Sequence, residues 1–241
     1  IMKVAVIQMT CTIGDKNANF EKAAPMIEEA CQNGAKLIVL PELFNTGYCC
    51  KDDWALAETG NDKTYEFLKY YTVKYDTSIM AGFIERSNVP GLVYNSVMYV
   101  HKNEKAKIYR KMYLWGAEKN RFIRGQELSV WKNDGINTAA QICYEVGFSE
   151  NARMLTFGGA EIICYSAALG RARGYAWDLA TRARALENGC FVLASNHSSD
   201  EDGLEFCGMS RIVNTKGEVI AEATKDNEVV MADIDINDIY K

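Results

Sequence analysis

The chain begins with two short apolar runs separated by a segment of helical length, and this pattern is the strongest constraint on its fold. Val4–Ile7 form the first run and Leu37–Leu40 the second. Between them, from about Asn17 to Asn33, apolar side chains recur every three or four residues, which predicts a helix that Gly34 ends. Two strands joined through a helix pair in parallel. The sequence therefore predicts a β-α-β unit and an α/β fold.

The rest of the chain continues this alternation. Helices are predicted at residues 61–75, 149–157 and 173–188, and strands at 78–84, 93–101, 106–109, 128–131, 136–142, 161–165 and 191–195. Polar turns at Lys102–Lys105 and Asn133–Gly135 predict two hairpins, and Ser149 is the expected N-cap of the helix at 149–157. Residues 111–128 lack a period and predict a long loop, which is typical of a functional or a disordered segment. No linker separates the two similar halves, so we expect one domain over residues 1–241, with two packed sheets and helices outside.

Composition and charge exclude several classes of protein. The net charge is −5, which disfavours nucleic-acid binding, and no apolar run is long enough to span a bilayer. The chain opens in a strand-like run, without the pattern of a signal peptide. Several of the eight cysteines lie in apolar runs, as free thiols do in a reducing cytoplasm. Only Cys49 and Cys50 are close in sequence, so we expect no metal and no cofactor.

Three reactive side chains follow predicted strands. Glu42 comes after Leu37–Leu40, Lys111 after the strand at 106–109, and Cys143 after the strand at 136–142. Taken alone, each of these residues is also consistent with a purely structural role, such as a surface charge or a packed thiol. A nucleophilic thiol needs a base or a nearby cation. The chain has only two histidines, and a Cys–His–Asn arrangement through His197 and Asn196 lacks a recognisable signature. A carboxylate base and a lysine or arginine cation are therefore favoured.

Five ordered motifs carry a resemblance to a known family. They are Ala5–Gln8, Leu40–Phe44 with Gly47-Tyr48, Tyr109–Lys111, Ile142–Glu150 with Arg153, and Arg182–Asn188 with Asn196 and Gly208–Ser210. In this order the chain resembles the nitrilase, or carbon–nitrogen hydrolase, superfamily. The resemblance implies a four-layer α-β-β-α sandwich, a homodimer or larger homo-oligomer, and no cofactor.

The resemblance also implies a Glu–Lys–Cys triad, which Glu42, Lys111 and Cys143 match. Glu118 is the best match to a second glutamate that often follows the lysine in the family. In the mechanism we expect, Glu42 deprotonates Cys143, whose thiolate attacks an amide carbon. Lys111 and the backbone N–H of Tyr144 then hold the oxyanion, and Glu42 protonates the leaving amine. One departure from the motifs is Ser149, which stands where the family often has proline.

The substrate is less constrained by the sequence. Tyr48, Trp115 and Asn196 are expected near a pocket for a small amide-like molecule. Relatives that bind N-carbamoyl amino acids place an arginine soon after the nucleophile, where this chain has valine and glycine. Arg171 and Arg173 in the following loop are the alternative groups for a substrate carboxylate.

Other activities stay open at this stage. Within the same family they are cleavage of N-carbamoyl compounds, nitrile hydrolysis, and acyl transfer to an acceptor other than water. Outside it, the fold could bind a small metabolite without catalysis, although the complete triad argues against that reading. Thiol redox chemistry is disfavoured because no Cys-x-x-Cys pair is present.

Overall fold

The opening β-α-β unit forms as predicted. The computed structural model describes residues 1–102 and 104–240. Strand β1 spans Met2–Gln8, helix α1 spans Lys16–Gln32, and strand β2 spans Leu37–Val39. Strands β1 and β2 are parallel, and Asp15 caps α1 through a hydrogen bond from the backbone N–H of Ala18. The helix reverses the chain, so both strands end on the same edge of the sheet.

The remaining elements follow the predicted order closely. In the first half they are α2 (Asp53–Leu56), α3 (Lys63–Tyr75), β3 (Ser78–Arg86), β4 (Val93–His101) and β5 (Lys107–Arg110). In the second half they are β6 (Val130–Asn133), β7 (Ile136–Ile142), α4 (Ser149–Phe157), β8 (Ile162–Ala167), α5 (Gly174–Asn188), β9 (Phe191–Asn196), β10 (Asp200–Glu201), β11 (Leu204–Glu205), β12 (Arg211–Val213), β13 (Val219–Glu222) and β14 (Glu228–Ile234). The short helix α2 was not predicted.

Twelve of these strands build two six-stranded sheets with helices outside, and β10 and β11 pair with each other. One sheet has the order β14-β1-β2-β3-β4-β5 and the other β13-β12-β9-β8-β7-β6. Helices α1 and α3 pack on the first sheet, and α4 and α5 pack on the second. Residues of β1 alternate between the two cores: Val4 and Val6 face the other sheet, whereas Ala5 and Ile7 face the helices. Both faces of β1 are buried, which explains its continuous apolar run. The predicted α-β-β-α sandwich is confirmed.

Both predicted hairpins are present. Strands β4 and β5 pair antiparallel, although Asn103, within the predicted turn Lys102–Lys105, lies outside the described residues, as does Lys241 at the end of the expected domain. Strands β6 and β7 also pair antiparallel. Their turn contains Asp134 and Gly135, both with positive φ, as a two-residue hairpin of this twist requires.

The prediction that Ser149 caps α4 was wrong. The cap position falls on Phe148, which makes no side-chain capping bond, and Ser149 is the first residue of the helix. The ring of Phe148 stacks on Tyr113 with centroids 4.1 Å apart. Such a contact contributes about 0.5–1.5 kcal/mol, comparable to a capping bond, so packing fixes the entry of the chain into α4.

Within the described ranges, none of the helices combines the length and the apolar character that crossing a membrane requires.

Candidate active site

Glu42 lies at the point where the two sheets meet at their carboxyl edges. It follows β2, and its side chain is fully buried. One carboxylate oxygen, Oε1, accepts hydrogen bonds from Asn95 Nδ2 and Lys111 Nζ, each at 2.7 Å. The other, Oε2, accepts from the backbone N–H of Ala168 at 2.8 Å. Three donors hold one buried carboxylate, which fixes its orientation and compensates for its burial.

Lys111 connects Glu42 to a second carboxylate. It comes directly after β5, and its side chain is 0% exposed. Its Nζ lies 2.7 Å from Glu42 Oε1 and 2.8 Å from Glu118 Oε1. Burial alone would lower the pKa of Lys111, but the charges of Glu42 and Glu118 outweigh it and raise the pKa above its usual range. The ammonium is therefore a fixed positive charge at this edge.

Glu118 lies on a 3-10 turn, Gly116–Asn120, inside the loop predicted over residues 111–128. Its Oε1 accepts hydrogen bonds from the ammonium of Lys111 and from the Tyr48 hydroxyl, the latter at 2.7 Å. Its Oε2 accepts a hydrogen bond from the backbone N–H of Trp115 at 3.0 Å. The structure thus brings together the two glutamates and the lysine that the sequence singled out. Tyr48 contacts Glu118, and the cavity described below does not include Tyr48 in its walls.

Cys143 follows β7 at the start of a 3-10 turn, Cys143–Gly147. Its backbone has φ 49°, a left-handed conformation that costs a non-glycine residue free energy. Burial, and next the charge of Glu42, raise the pKa of the Cys143 thiol well above its usual range, while Lys111 opposes them. The thiol is therefore protonated at rest, and it needs a base in order to react as a thiolate.

A small cavity opens beside Cys143. Its volume is about 30 Å³, and it is lined by Trp115, Cys143, Tyr144, Ala168, Leu169, Gly170 and Arg173. The guanidinium of Arg173 lies 4.9 Å from the ring centroid of Trp115 and 5.9 Å from that of Tyr144. Arg171 does not line the cavity: it is exposed and pairs with Glu205 at 3.1 Å. Of the two arginines considered, the structure places Arg173 against the site.

Asn196 lies behind the cavity wall. It is fully buried, and its Oδ1 accepts from the backbone N–H of Leu169 at 2.8 Å. Its Nδ2 donates to the carbonyl of Gly208 at 2.9 Å. These bonds hold in place the segment that forms one side of the cavity, while Asn196 itself is not part of the lining.

Glu145 accepts hydrogen bonds from two segments of the site, and the sequence did not indicate these contacts. Its Oε1 accepts from the Tyr109 hydroxyl and from the backbone N–H groups of Met112 and Tyr113, and its Oε2 accepts from the N–H of Ile142 at 2.8 Å. These bonds tie the segment after Lys111 to the turn that carries Cys143. Burial raises the pKa of Glu145 to about 7, against the effect of its donors. The motif contained this residue, but spacing alone could not show its partners.

The sequence also did not indicate that Asn95 and Ala168 donate hydrogen bonds to Glu42. Asn95 is a fully buried amide on β4, a strand in which Val97, Met98 and Val100 are also fully buried. A buried polar side chain in such a strand signals a fixed partner, here Glu42. Ala168 contributes only its backbone, so its side-chain type carries no signal.

Comparison with known proteins agrees with this geometry. The family model for carbon–nitrogen hydrolases matches residues 3–241. The chain is 32% identical to 2-oxoglutaramate amidase of Bacillus subtilis, over 98% of this chain and 91% of that protein. It is 33% identical to a nitrilase of Pyrococcus abyssi, over 100% and 97%. The crystal structure of Saccharomyces cerevisiae Nit3, a member of the nitrilase superfamily, superposes with a TM-score of 0.92 at 26% identity, covering 99% of this chain and 92% of that one. The chain therefore belongs to the carbon–nitrogen hydrolase family.

Proposed function

We propose that this carbon–nitrogen hydrolase cleaves the amide bond of a small molecule that carries a carboxylate, by way of a thioester on Cys143. The observation that carries the proposal is the buried network Glu42–Lys111–Glu118 beside a neutral thiol. Because residues 3–241 match one family model and the two sheets share a core, we also propose that residues 1–241 form a single domain.

The first half of the reaction forms the thioester. Glu42 accepts the thiol proton as Cys143 Sγ bonds to the amide carbon. The oxyanion that results is held by the Lys111 ammonium and by the backbone N–H of Tyr144, near the start of the 3-10 turn. The proton then passes from Glu42 to the amide nitrogen, the carbon–nitrogen bond breaks, and ammonia or an amine leaves.

The second half regenerates the thiol. A water molecule gives its proton to Glu42 and attacks the thioester carbon. Collapse of the second oxyanion breaks the carbon–sulfur bond, and Glu42 returns the proton to the sulfur as the carboxylic acid leaves. Glu118 keeps Lys111 in position through its 2.8 Å contact during both halves. Replacement of Cys143 by alanine is expected to abolish release of ammonia, and turnover by Cys143→Ala would refute the mechanism.

Arg173 supports the choice of a carboxylate-bearing substrate. It is the cationic side chain in the wall of the cavity, and a guanidinium binds a carboxylate in a bidentate manner. The relative named 2-oxoglutaramate amidase, by its name, acts on an amide that also bears a carboxylate. We propose the same substrate class for this chain.

Two arginine variants test this assignment. Arg173→Gln should raise KM for ω-amides of dicarboxylic acids by about 10- to 100-fold, the equivalent of a charge-assisted hydrogen bond, and should leave amides without a carboxylate unaffected. Arg171→Gln is the matched control, because Arg171 lies outside the cavity and pairs with Glu205. An equal effect of both variants, or no preference for carboxylate-bearing amides, would contradict the assignment.

Nitrile hydrolysis is the second candidate, because the relative from Pyrococcus abyssi is named a nitrilase. A nitrile has no leaving amine until water has added to the thioimidate, so the same site would need one more water per turnover. Ammonia assays with a nitrile and its matching amide, side by side, separate the two activities.

We further propose that the chain forms a homodimer or larger homo-oligomer in the cytoplasm. Five large apolar side chains on α4 and α5 are more than half exposed, namely Met154, Phe157, Tyr175, Leu179 and Leu186. An apolar area on two adjacent helices is suited to a second copy of the chain. Light scattering after Leu179→Glu should show a smaller particle than the parent protein.

The proposal of a cytoplasmic location rests on the cysteines. They are free thiols, which persist in a reducing compartment.

A further inference from the structure

A second cluster of reactive side chains lies outside the network of Glu42, Lys111 and Glu118. It consists of Cys11, His197 and Glu201, whose sulfur, ring nitrogen and carboxylate oxygen all lie within 4.8 Å of one another. His197 is 0% exposed and Glu201 is 3% exposed, while Cys11 is half-buried. These residues come from both ends of the chain, so their spacing in the sequence gave no indication of the cluster.

The surroundings of His197 determine which ring nitrogen carries its hydrogen. Nε2 lies 2.5 Å from the main-chain oxygen of Glu42. A carbonyl oxygen can only accept, so Nε2 must be the protonated nitrogen and the donor. Nδ1, the other nitrogen, points to the opposite side, where Glu201 Oε1 lies 2.8 Å away. A histidine that donates one N–H to a carbonyl presents its second nitrogen as a ligand, which is the usual arrangement around metals.

The contact between His197 and Glu201 is not a well-formed hydrogen bond. Both Nδ1 and Oε1 are buried and lack a partner with acceptable hydrogen-bond geometry. These two buried atoms at 2.8 Å need positive charge between them, and either a proton on Nδ1 or a metal ion can supply it. The other carboxylate oxygen, Oε2, is held by the backbone N–H groups of Tyr48 and Cys49, so Glu201 cannot turn away.

We propose that Cys11 Sγ, His197 Nδ1 and Glu201 Oε1 form a binding site for a zinc ion. Sulfur, imidazole nitrogen and carboxylate oxygen are the three donor types that zinc prefers in proteins. A thiolate and a carboxylate balance the charge of a divalent ion, so the buried site is neutral when it is filled. Cys11 now contacts the carbonyl of Phe44 at 3.3 Å, and it gives up its proton and this contact on binding. Its partial exposure provides the route of entry.

The site has a structural consequence for the neighbouring network. Through His197 Nε2 the zinc ion is linked to the main chain of Glu42, and through Glu201 it is linked to the segment at Tyr48 and Cys49. Bound zinc therefore restrains the loop that follows β2. The alternative is a protonated His197 paired with Glu201 and no metal, and the experiment below separates the two.

The test uses the full-length chain with Cys143 replaced by alanine, so that the thiol at the reaction centre cannot bind metal. The metal-free protein is dialysed against zinc chloride, and bound zinc is measured by mass spectrometry. In parallel, cobalt(II) is added, because a cobalt–thiolate bond gives a charge-transfer absorption that a nitrogen or oxygen site lacks. We expect about one zinc per chain and this absorption.

Three variants in the same background decide the assignment. Cys11→Ser and His197→Gln should bind zinc at least about 10-fold more weakly, and Cys11→Ser should lose the cobalt absorption. Cys207→Ser is the matched control, since Cys207 is also half-buried and lies outside the cluster. Circular dichroism checks that His197→Gln is folded. If this variant is not folded, the zinc affinity of Cys11→Ser decides between a zinc site and a metal-free ion pair. Absence of bound zinc in the parent, or unchanged binding in Cys11→Ser, would overturn the proposal. Because the background has no nucleophile, the result is independent of the proposed function.

Discussion

Replacement of Lys111 by methionine should destabilise the protein, because it leaves two buried carboxylates without a cation. The side chain is 0% exposed, and its Nζ contacts Glu42 at 2.7 Å and Glu118 at 2.8 Å. Methionine has a similar length but no charge, so two buried carboxylates lose their shared cation. Removal of one partner from a buried ion pair costs about 3–5 kcal/mol. In a chain of this size, that loss lowers Tm by about 6–20 °C.

Urea unfolding of the variant and the parent measures this loss of stability by linear extrapolation. Lys3→Met is the matched control, because Lys3 pairs with Asp233 at 2.9 Å on the surface, where such a pair contributes less than about 1 kcal/mol. A loss of stability for Lys111→Met that is no larger than that for Lys3→Met would refute the argument that this ammonium neutralises two buried charges.

Three further predictions test the surroundings of the site. Tyr48→Phe removes the 2.7 Å hydrogen bond to Glu118 and should lower the free energy of unfolding by about 1.5–3 kcal/mol in urea; an unchanged value would contradict the contact. Gly82→Ala places a Cβ only 2.6 Å from the Cα of Glu42, so we expect a loss of about 1–3 kcal/mol and a lower kcat, and a fully active variant would argue against this close approach. The pKa of Glu145, raised to about 7 by burial, means that the folded chain holds this proton more tightly than the unfolded chain. Stability should therefore fall by about 3 kcal/mol as the pH rises from the unfolded pKa through 7, and Glu145→Gln should remove this slope in denaturation measured across that range.

The sequence predicted the elements because their signals are local. The helix before Gly34 and the turn at Asp134-Gly135 depend on residues within a few positions of each other, and both formed where expected. The parallel pairing of β1 and β2 follows from the helix between them. The N-cap at Ser149 failed because a distant residue, Tyr113, stacks on Phe148 and sets the start of the helix.

The site was predictable only in part, since its contacts join residues far apart in the chain. The motifs singled out Glu42, Lys111 and Glu118, and the structure places them in contact. No periodicity indicates that Asn95 on β4 and the backbone of Ala168 after β8 hold the carboxylate of Glu42. These partners depend on which strand ends meet across two sheets, and that is a property of the assembled sandwich.

The backbone at Cys143 shows why the residues around the thiol matter as much as the thiol itself. A left-handed φ of 49° at a non-glycine residue costs of order 1–3 kcal/mol, so the fold must hold it in place. Glu145, two residues later, accepts from the N–H of Ile142 on one side of Cys143 and from Met112 and Tyr109 across the interface between the sheets. Those bonds join the turn to the strand before it and to the segment around Lys111, while Cys143 lines the cavity. The short sequence from Cys143 to Glu145 therefore encodes a cysteine with a strained backbone together with the carboxylate that holds its turn, and the same carboxylate fixes the segment that follows Lys111.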